Sequence, residues 1–298
     1  MLTRILSAVL CVGLTGALSA QRDLSEVTVR SEHLRDSIFV LFGSGGNIGL
    51  AVGEDAAYLV DAQFAPLTEK LLAEVHRLTD KPLRYLVNTH WHGDHTGGND
   101  NFHATGMTIV AHEAVRERMA TPQDRGEGRI TEPRALSALP TITYAEGLDL
   151  YLDSTRRMHV FHVDRAHTDG DSFIWFAGSN VLHLGDNYFS GRYPYIDTDS
   201  GGDIDGLIAN LGRALVLTDA DTRIIPGHGE VSSAKELREH LEMLTTIRDR
   251  VRDTKLAGTT LEQAQQLGLS KEWDAAHGGG FISPERLLEA IWATVDLE

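Results

Sequence analysis

Leu83-Arg84-Tyr85-Leu86-Val87-Asn88-Thr89-His90-Trp91-His92-Gly93-Asp94-His95-Thr96-Gly97-Gly98 is the stretch from which the rest of the chain can be read. Leu83 to Val87 is a β-rich run, and three imidazoles and a carboxylate follow between His90 and His95. The carboxyl end of a strand is where α/β proteins build their sites. In an extended segment His90 and His92 point the same way, roughly 6 to 7 Å apart at Cα, so both rings can converge on one ion. Gly93 lets the chain turn, after which Asp94 and His95 project from a different direction and can hold a second ion. A single four-coordinate zinc would not require that second set. Chance seldom produces H-x-H-x-D-H, so a solvated histidine-rich loop is the weaker reading.

The composition supports metal chemistry and narrows the partners. The chain has 298 residues, 42% hydrophobic and 23% charged, with 29 Gly and 8 Pro, which excludes disorder and fibrous repeats. A formal charge of -16 repels phosphate backbones and anionic membrane surfaces, so a small-molecule substrate is expected and nucleic acid is not. Fourteen His against one Cys means that a transition-metal site must be built from imidazole and carboxylate.

Residues 1–20 read as a signal peptide: one charge at Arg4, an apolar run from Ile5 to Leu14, and small residues before Gln21. The run falls short of the roughly 20 residues that span a bilayer. Cleavage is expected after Ala20, with Ala17 as the alternative. Arg4 and Cys11 leave with the leader, which takes the formal charge from -16 to -17 and leaves an exported chain without disulfides. The expected location is periplasmic or secreted, with no membrane insertion after cleavage.

Residues 21–298 read as one domain. Strands are expected at Val27 to Val29, Ile38 to Phe42, Ile48 to Val52 and Ala57 to Asp61, separated by Gly and Asp turns as in an antiparallel meander. Pro66 opens an amphipathic helix with Leu67, Leu71, Leu72, Val75 and Leu78 on one face, ended by Lys81-Pro82 before the Leu83 strand. The polar segment from Thr121 to Pro140 separates a second strand series: Thr141 to Tyr144, Leu148 to Leu152, Met158 to Val163, Phe173 to Phe176 and Val181 to Leu184. Helices are expected from Ile204 to Leu217 and from about residue 232, the latter opened by a Ser233/Glu236 capping box and by Ser283-Pro284. Two strand runs with helices between and after them indicate a layered α/β domain.

T-H-W-H-G-D-H resembles the signature of the metallo-β-lactamase-fold hydrolases, and three later motifs follow in that family's order. Ala166-His167-Thr168 resembles its His-Thr turn, Gly185-Asp186 its ligand after a strand, and Pro226-Gly227-His228-Gly229 its last histidine turn. The resemblance implies an αββα sandwich, two mixed sheets between helices. It also implies two zinc ions per chain, one on His90, His92 and His167, the other on Asp94, His95 and His228, bridged by Asp186. Asp94 would in addition orient the nucleophile as the catalytic carboxylate. The sequence departs from the lactamases that use a cysteine ligand, since Asp186 stands there. Two zinc ions about 3.5 to 4 Å apart lower the pKa of a shared water to roughly 7 and polarise a carbonyl, which suits lactams, lactones and esters.

Among the other candidates, Asp61 and Asp171 are read as carboxylates supporting the ligands, and His103, His112, His159, His162 and His183 as packing or surface histidines. Phe64, Trp91, Tyr188 and Arg192 are the candidate substrate-binding residues, with Phe189, Tyr193 and Tyr195 beside them. The aromatics would wall an apolar pocket and Arg192 would pair with a substrate carboxylate; ordinary loop packing is the alternative for each. The alternative functions are a mononuclear-iron sulfur dioxygenase and a thioesterase of the same fold. For a glutathione thioester the stretch after Thr254 offers only Lys255, Lys271 and Arg286.

Overall fold

The computed structural model describes residues 23–124 and 130–297. The expected leader, residues 1–20, lies outside the described residues.

Two mixed sheets are stacked between helices. The first has β1 (Arg30–Arg35), β2 (Ile38–Phe42), β3 (Ile48–Val52), β4 (Ala57–Val60), β5 (Leu83–Val87) and β6 (Thr108–His112) in chain order. After a short ribbon of β7 (Gln123–Asp124) and β8 (Ile130–Thr131), β9 (Ile142–Tyr144) adds to β6. The strands β1 to β4 pair antiparallel, and β4, β5, β6 and β9 pair parallel in that order. The second sheet runs β10 (Gly147–Tyr151), β11 (Arg157–His162), β12 (Ser172–Phe176), β13 (Val181–His183), β14 (Arg223–Ile225) and β15 (Ser232–Ser233), with only β13 and β14 parallel.

Strand periodicity explains the layering. In β4, Tyr58 and Val60 face the second sheet while Ala57 and Leu59 face the outer helix. In β12, Ile174 and Phe176 join the core between the sheets and Phe173 joins the core beneath the other helices. Both faces of each central strand are therefore buried, which is why these runs are almost wholly apolar. Helix α1 (Thr68–Leu78) covers the first sheet with Leu71 and Val75. Shorter helices α2 (Gly93–Thr96), α3 (Asn99–Ala104) and α4 (Glu113–Ala120) lie in the connections that follow β5 and β6. The second sheet is covered by α5 (Ile204–Val216), α6 (Ala234–Leu256) and α9 (Pro284–Thr294), with the short α7 (Leu261–Gln266) and α8 (Lys271–His277) between the last two. The capping box of Ser233 and Glu236 opens α6, and Pro284 stands in the first turn of α9. None of the described helices is long and apolar enough to cross a membrane.

The strand expectations need two corrections. Val27 to Val29 is not a strand: Val27 N–H closes a turn on the Leu24 carbonyl, and Val27 and Val29 pack onto the outer apolar cluster instead. The segment Thr141 to Tyr144 belongs to the first sheet, because β9 pairs parallel with β6. The αββα order itself is as expected.

Candidate metal centre

Every expected ligand comes from a connection between strands at one edge of the sandwich. His90 and His92 follow β5, Asp94 and His95 lie in the short helix α2 (Gly93–Thr96), and His167 lies in the β11–β12 connection. Asp186 follows β13 and His228 follows β14. Two groups result, His90, His92, His167 and Asp186, and then Asp94, His95 and His228, each with candidate ligand atoms within 4.8 Å of one another. Asp186 stands between them. Its Oδ2 is 3.7 Å from Nε2 of both His90 and His167, and its Oδ1 is 3.0 Å from His95 Nε2 and 3.4 Å from His228 Nε2. Glycine is required next to it, because a Cβ on Gly227 would lie 2.0 Å from Asp186 Oδ1.

The ring nitrogens that face the centre are selected by what the other nitrogens bond. His167 Nδ1 donates to the Tyr195 carbonyl at 2.6 Å, which leaves Nε2 bare. His92 Nε2 donates to Asp197 Oδ2 at 2.7 Å, which turns Nδ1 inward to within 2.9 Å of His167 Nε2. His95 Nδ1 donates to Asp61 Oδ2 at 2.7 Å, and Asp61 also accepts from the N–H and hydroxyl of Thr89. Asp61 holds this position at a φ of 68°, an unusual conformation for a non-glycine residue that the surrounding hydrogen bonds maintain. Asp171 caps the His167 turn, accepting from the N–H groups of His167 and Thr168. Burial pushes its carboxyl up to about 7 despite those bonds.

These groups fit transition-metal ions. His90 Nε2, His95 Nε2 and Asp186 Oδ1 are buried and make no hydrogen bond, an expensive arrangement unless a cation satisfies them. Burial, reinforced by neighbouring imidazoles, keeps His90 well below its ordinary pKa and His167 at about 4, so both stay neutral and able to ligate. Burial would lower His95 and His228 as well, but Asp186, with Asp61 and Asp94, raises the first well above its usual range. Asp186 and Asp94 raise His228 to about 9. A field that draws protons this strongly draws a divalent cation in the same way. An imidazole and carboxylate donor set suits zinc. Asp94 is opposed by burial but held at about 2 by His95 and His228, so it is ionised.

An open cavity of about 660 Å³ lies over the centre, with Phe64, Phe189, Tyr195 and Phe281 as aromatic walls, Arg192 as the cation, and Asp94, Asp186 and His228 among its lining groups. Two candidate substrate residues are elsewhere. Trp91 is buried against Ala111, Val115, Met119 and Leu139, because alternation along the extended motif turns it away from the side taken by His90 and His92. Tyr188 is also buried, in the core under α6, where its hydroxyl meets Ser232 at 2.8 Å. Tyr193 is similarly turned inward, donating to Asp274 at 2.8 Å. His183 is fully buried, 3.2 Å from the Asn47 carbonyl, and His159 pairs with Asp149 away from the centre. Two residues of the site escaped sequence reasoning. Asp197 lies 105 positions from His92, and Phe281 arrives from the C-terminal helices. The acidic Asp197-Thr198-Asp199 run just past the Tyr195 loop was the signal available for the first.

A double-sheet sandwich with a histidine and aspartate cluster on its loop edge defines a class of metal-dependent hydrolase folds. Residues 41–228 match the metallo-beta-lactamase superfamily, and the chain belongs to it. Among curated relatives it is similar to a hydroxyacylglutathione hydrolase from Nitrosococcus oceani, 33% identical over 146 residues, which cover 48% of this chain and 47% of that protein. The alpha subunit of a 2,4-dinitroanisole O-demethylase from Nocardioides sp. is 27% identical over 163 residues, 55% of this chain and 45% of the subunit. The chain thus spans about half the length of the curated relatives it matches. Among solved structures, a metallo-beta-lactamase from Pontibacter korlensis superimposes with a TM-score of 0.61 at 16% identity, covering 73% of this chain and 99% of that one. The inverting sec-alkylsulfatase Pisa1 from Pseudomonas sp. gives 0.67 at 14% identity, covering 89% and 50%. These two share the fold.

Proposed function

We propose that the protein is an exported binuclear zinc hydrolase that cleaves a carbonyl bond of a small molecule, a β-lactam, lactone or ester. The observation that carries this reading is the pair of ligand groups joined through Asp186 at the floor of an open cavity. Zinc held there supplies Lewis acidity toward a carbonyl oxygen and a nucleophile from water near neutral pH. The chain supplies the rest. Ionised Asp94, exposed to the cavity, accepts a hydrogen bond from the attacking water and aims it. Phe64, Phe189 and Tyr195 exclude bulk solvent, which strengthens polar interactions at the reacting carbonyl. Arg192 pairs with a substrate carboxylate.

The relatives named hydroxyacylglutathione hydrolase support a second reading, a thioesterase on the same centre. The cavity walls favour the first. Arg192 is the one arginine or lysine among the described lining residues, whereas Lys255 is tied to the Trp292 carbonyl and Arg286 lies over Phe281. A glutathione thioester carries two carboxylates and would leave one unpaired.

Protein produced in metal-replete medium is expected to contain close to two zinc ions per chain. It should hydrolyse members of a lactam, lactone and ester panel, with loss of turnover in a chelator and recovery on adding Zn²⁺. Elemental analysis tests the metal, and a glutathione thioester added to the panel decides between the two readings, since a clear preference for it would favour the thioesterase. A reproducible single iron would overturn the binuclear zinc reading, and failure on every carbonyl substrate would refute the hydrolase assignment.

Export rests on residues 1–20. N-terminal mass analysis of native protein should find the chain starting at or near Gln21, outside the cytoplasm. An intact Met1 chain in the cytosol would contradict it.

A further inference from the structure

Phe281 differs from the other aromatic residues of the cavity in origin and exposure. It lies beyond residues 41–228, on the connection between α8 (Lys271–His277) and α9, behind three successive glycines at 278–280. The residue is 69% exposed, yet it lines the same cavity as the metal ligands. The ring is nonetheless held in place. It meets Tyr195 edge to face, with centroids 5.8 Å apart and planes at 88°, and the Arg286 guanidinium sits 4.8 Å from its centroid. Tyr195 in turn stacks on the His92 ring at 5.8 Å, so a run of rings extends from the metal-ligand imidazole to the cavity mouth.

Arg192 lies beside this run, with its stem against Gly280. A Cβ at that position would lie 3.3 Å from Arg192 Cδ, so the arginine stem runs close against the backbone next to Phe281. Aromatic rings favour edge-to-face and offset contacts with another ring, and an unpaired guanidinium favours a carboxylate. A wall that offers both side by side is built for a ligand that carries both.

We propose that Phe281, next to Gly280 and Arg192 and packed against Tyr195, is a specificity-determining residue that completes an aryl slot, so that the site selects substrates bearing an aromatic ring close to a carboxylate. The inference rests on the carbonyl-hydrolase reading for its kinetic arm and is independent of it for its binding arm. The C-terminal helices then serve the active site as well as the core, since they deliver the ring that a family match ending at residue 228 does not include.

The test compares two carboxylate-bearing esters that share a leaving group and differ in having a phenyl or a methyl group on the acyl portion. For the zinc-loaded full chain, the kcat/KM ratio of phenyl to methyl ester is expected to be roughly tenfold, the scale of selection by one apolar pocket group. Phe281→Ala should bring the ratio to within about threefold of parity, Phe281→Trp should keep it, and Leu256→Ala, at an exposed apolar side chain on α6, should leave it unchanged. In parallel, calorimetry with 3-phenylpropanoate should show binding that Phe281→Ala weakens at least about fivefold and Leu256→Ala does not. If no ester is turned over but binding still depends on Phe281, the slot stands and the hydrolase reading falls. A phenyl preference or a 3-phenylpropanoate affinity that is the same in wild type and Phe281→Ala would overturn the inference.

Discussion

Asp186→Ala protein is expected to lose most of its zinc and to fall in kcat by roughly 100-fold or more, because a residue touching both ligand groups has no substitute among its neighbours. The two oxygens of Asp186 face different partners, Oδ1 toward His95 and His228 and Oδ2 toward His90 and His167. Burial would raise this carboxyl, but His95, His228 and His90 hold it well below the usual carboxylate range, so it enters the site as an anion. Alanine removes that charge and leaves the surrounding imidazoles facing one another. Asp186→Asn keeps the shape and loses the charge, so a similar loss of zinc in both variants would attribute the effect to charge. Zinc content by elemental analysis and kcat under zinc-replete conditions are the measurements.

His183→Ala is the control, three residues away. His183 Nε2 lies 3.2 Å from the Asn47 carbonyl and its Nδ1 accepts from Gly185 N–H at 3.1 Å, so it ties the β2–β3 turn to the loop that carries Asp186. Burial holds its pKa at about 4, so it is neutral and structural at working pH. Truncation should cost about 2 to 4 kcal/mol through the cavity and the unpaired groups it leaves. That loss should appear in the melting temperature while zinc stoichiometry is retained. Equal zinc loss in His183→Ala and Asp186→Ala would show that the bridging position has been assigned to the wrong residue.

The parts of the molecule that could be read from sequence are those in which a short segment contains its own reason. The continuous apolar runs of β4 and β12, the capping box on Ser233, and the six residues from His90 to His95 each carry their pattern within one or two turns of chain. The β9 assignment failed because its pairing with β6 skips the whole segment between them, and pairing partners leave no local mark on three residues. Trp91 and Tyr188 were legible as aromatics near the metals. The alternation that brings His90 and His92 to one side already turns Trp91 to the other. The chain turns Tyr188 toward Ser232 under α6, a direction that could not be known before the sheets were packed. Phe281 illustrates the opposite case, an exposed apolar residue with no periodic pattern around it, whose role depends on where α9 docks.

Asp197→Asn is expected to weaken zinc binding by roughly 10- to 100-fold, about 1.4 to 2.7 kcal/mol, while leaving the fold intact. The argument begins with His92, which has two nitrogens and one proton in its ligating form. A carboxylate accepts and cannot donate, so an ionised Asp197 at 2.7 Å forces the proton onto Nε2 and leaves Nδ1 facing His167 and the centre. Burial opposes ionisation of Asp197, yet the hydrogen bonds from His92 and Ser200 outweigh it and keep the group charged. An asparagine amide can present either its oxygen or its NH₂ to Nε2. The second orientation stabilises the tautomer whose proton sits on Nδ1, where an ion would bind. Even in the first orientation the imidazole loses the negative charge that makes it a stronger donor to a metal. Competition with a chromophoric chelator measures the affinity, and the melting temperature of the metal-free variant checks the fold. Unchanged zinc affinity in a folded Asp197→Asn protein would mean that His92 is oriented by its neighbours Tyr195 and His167 alone, with no contribution from the buried carboxylate.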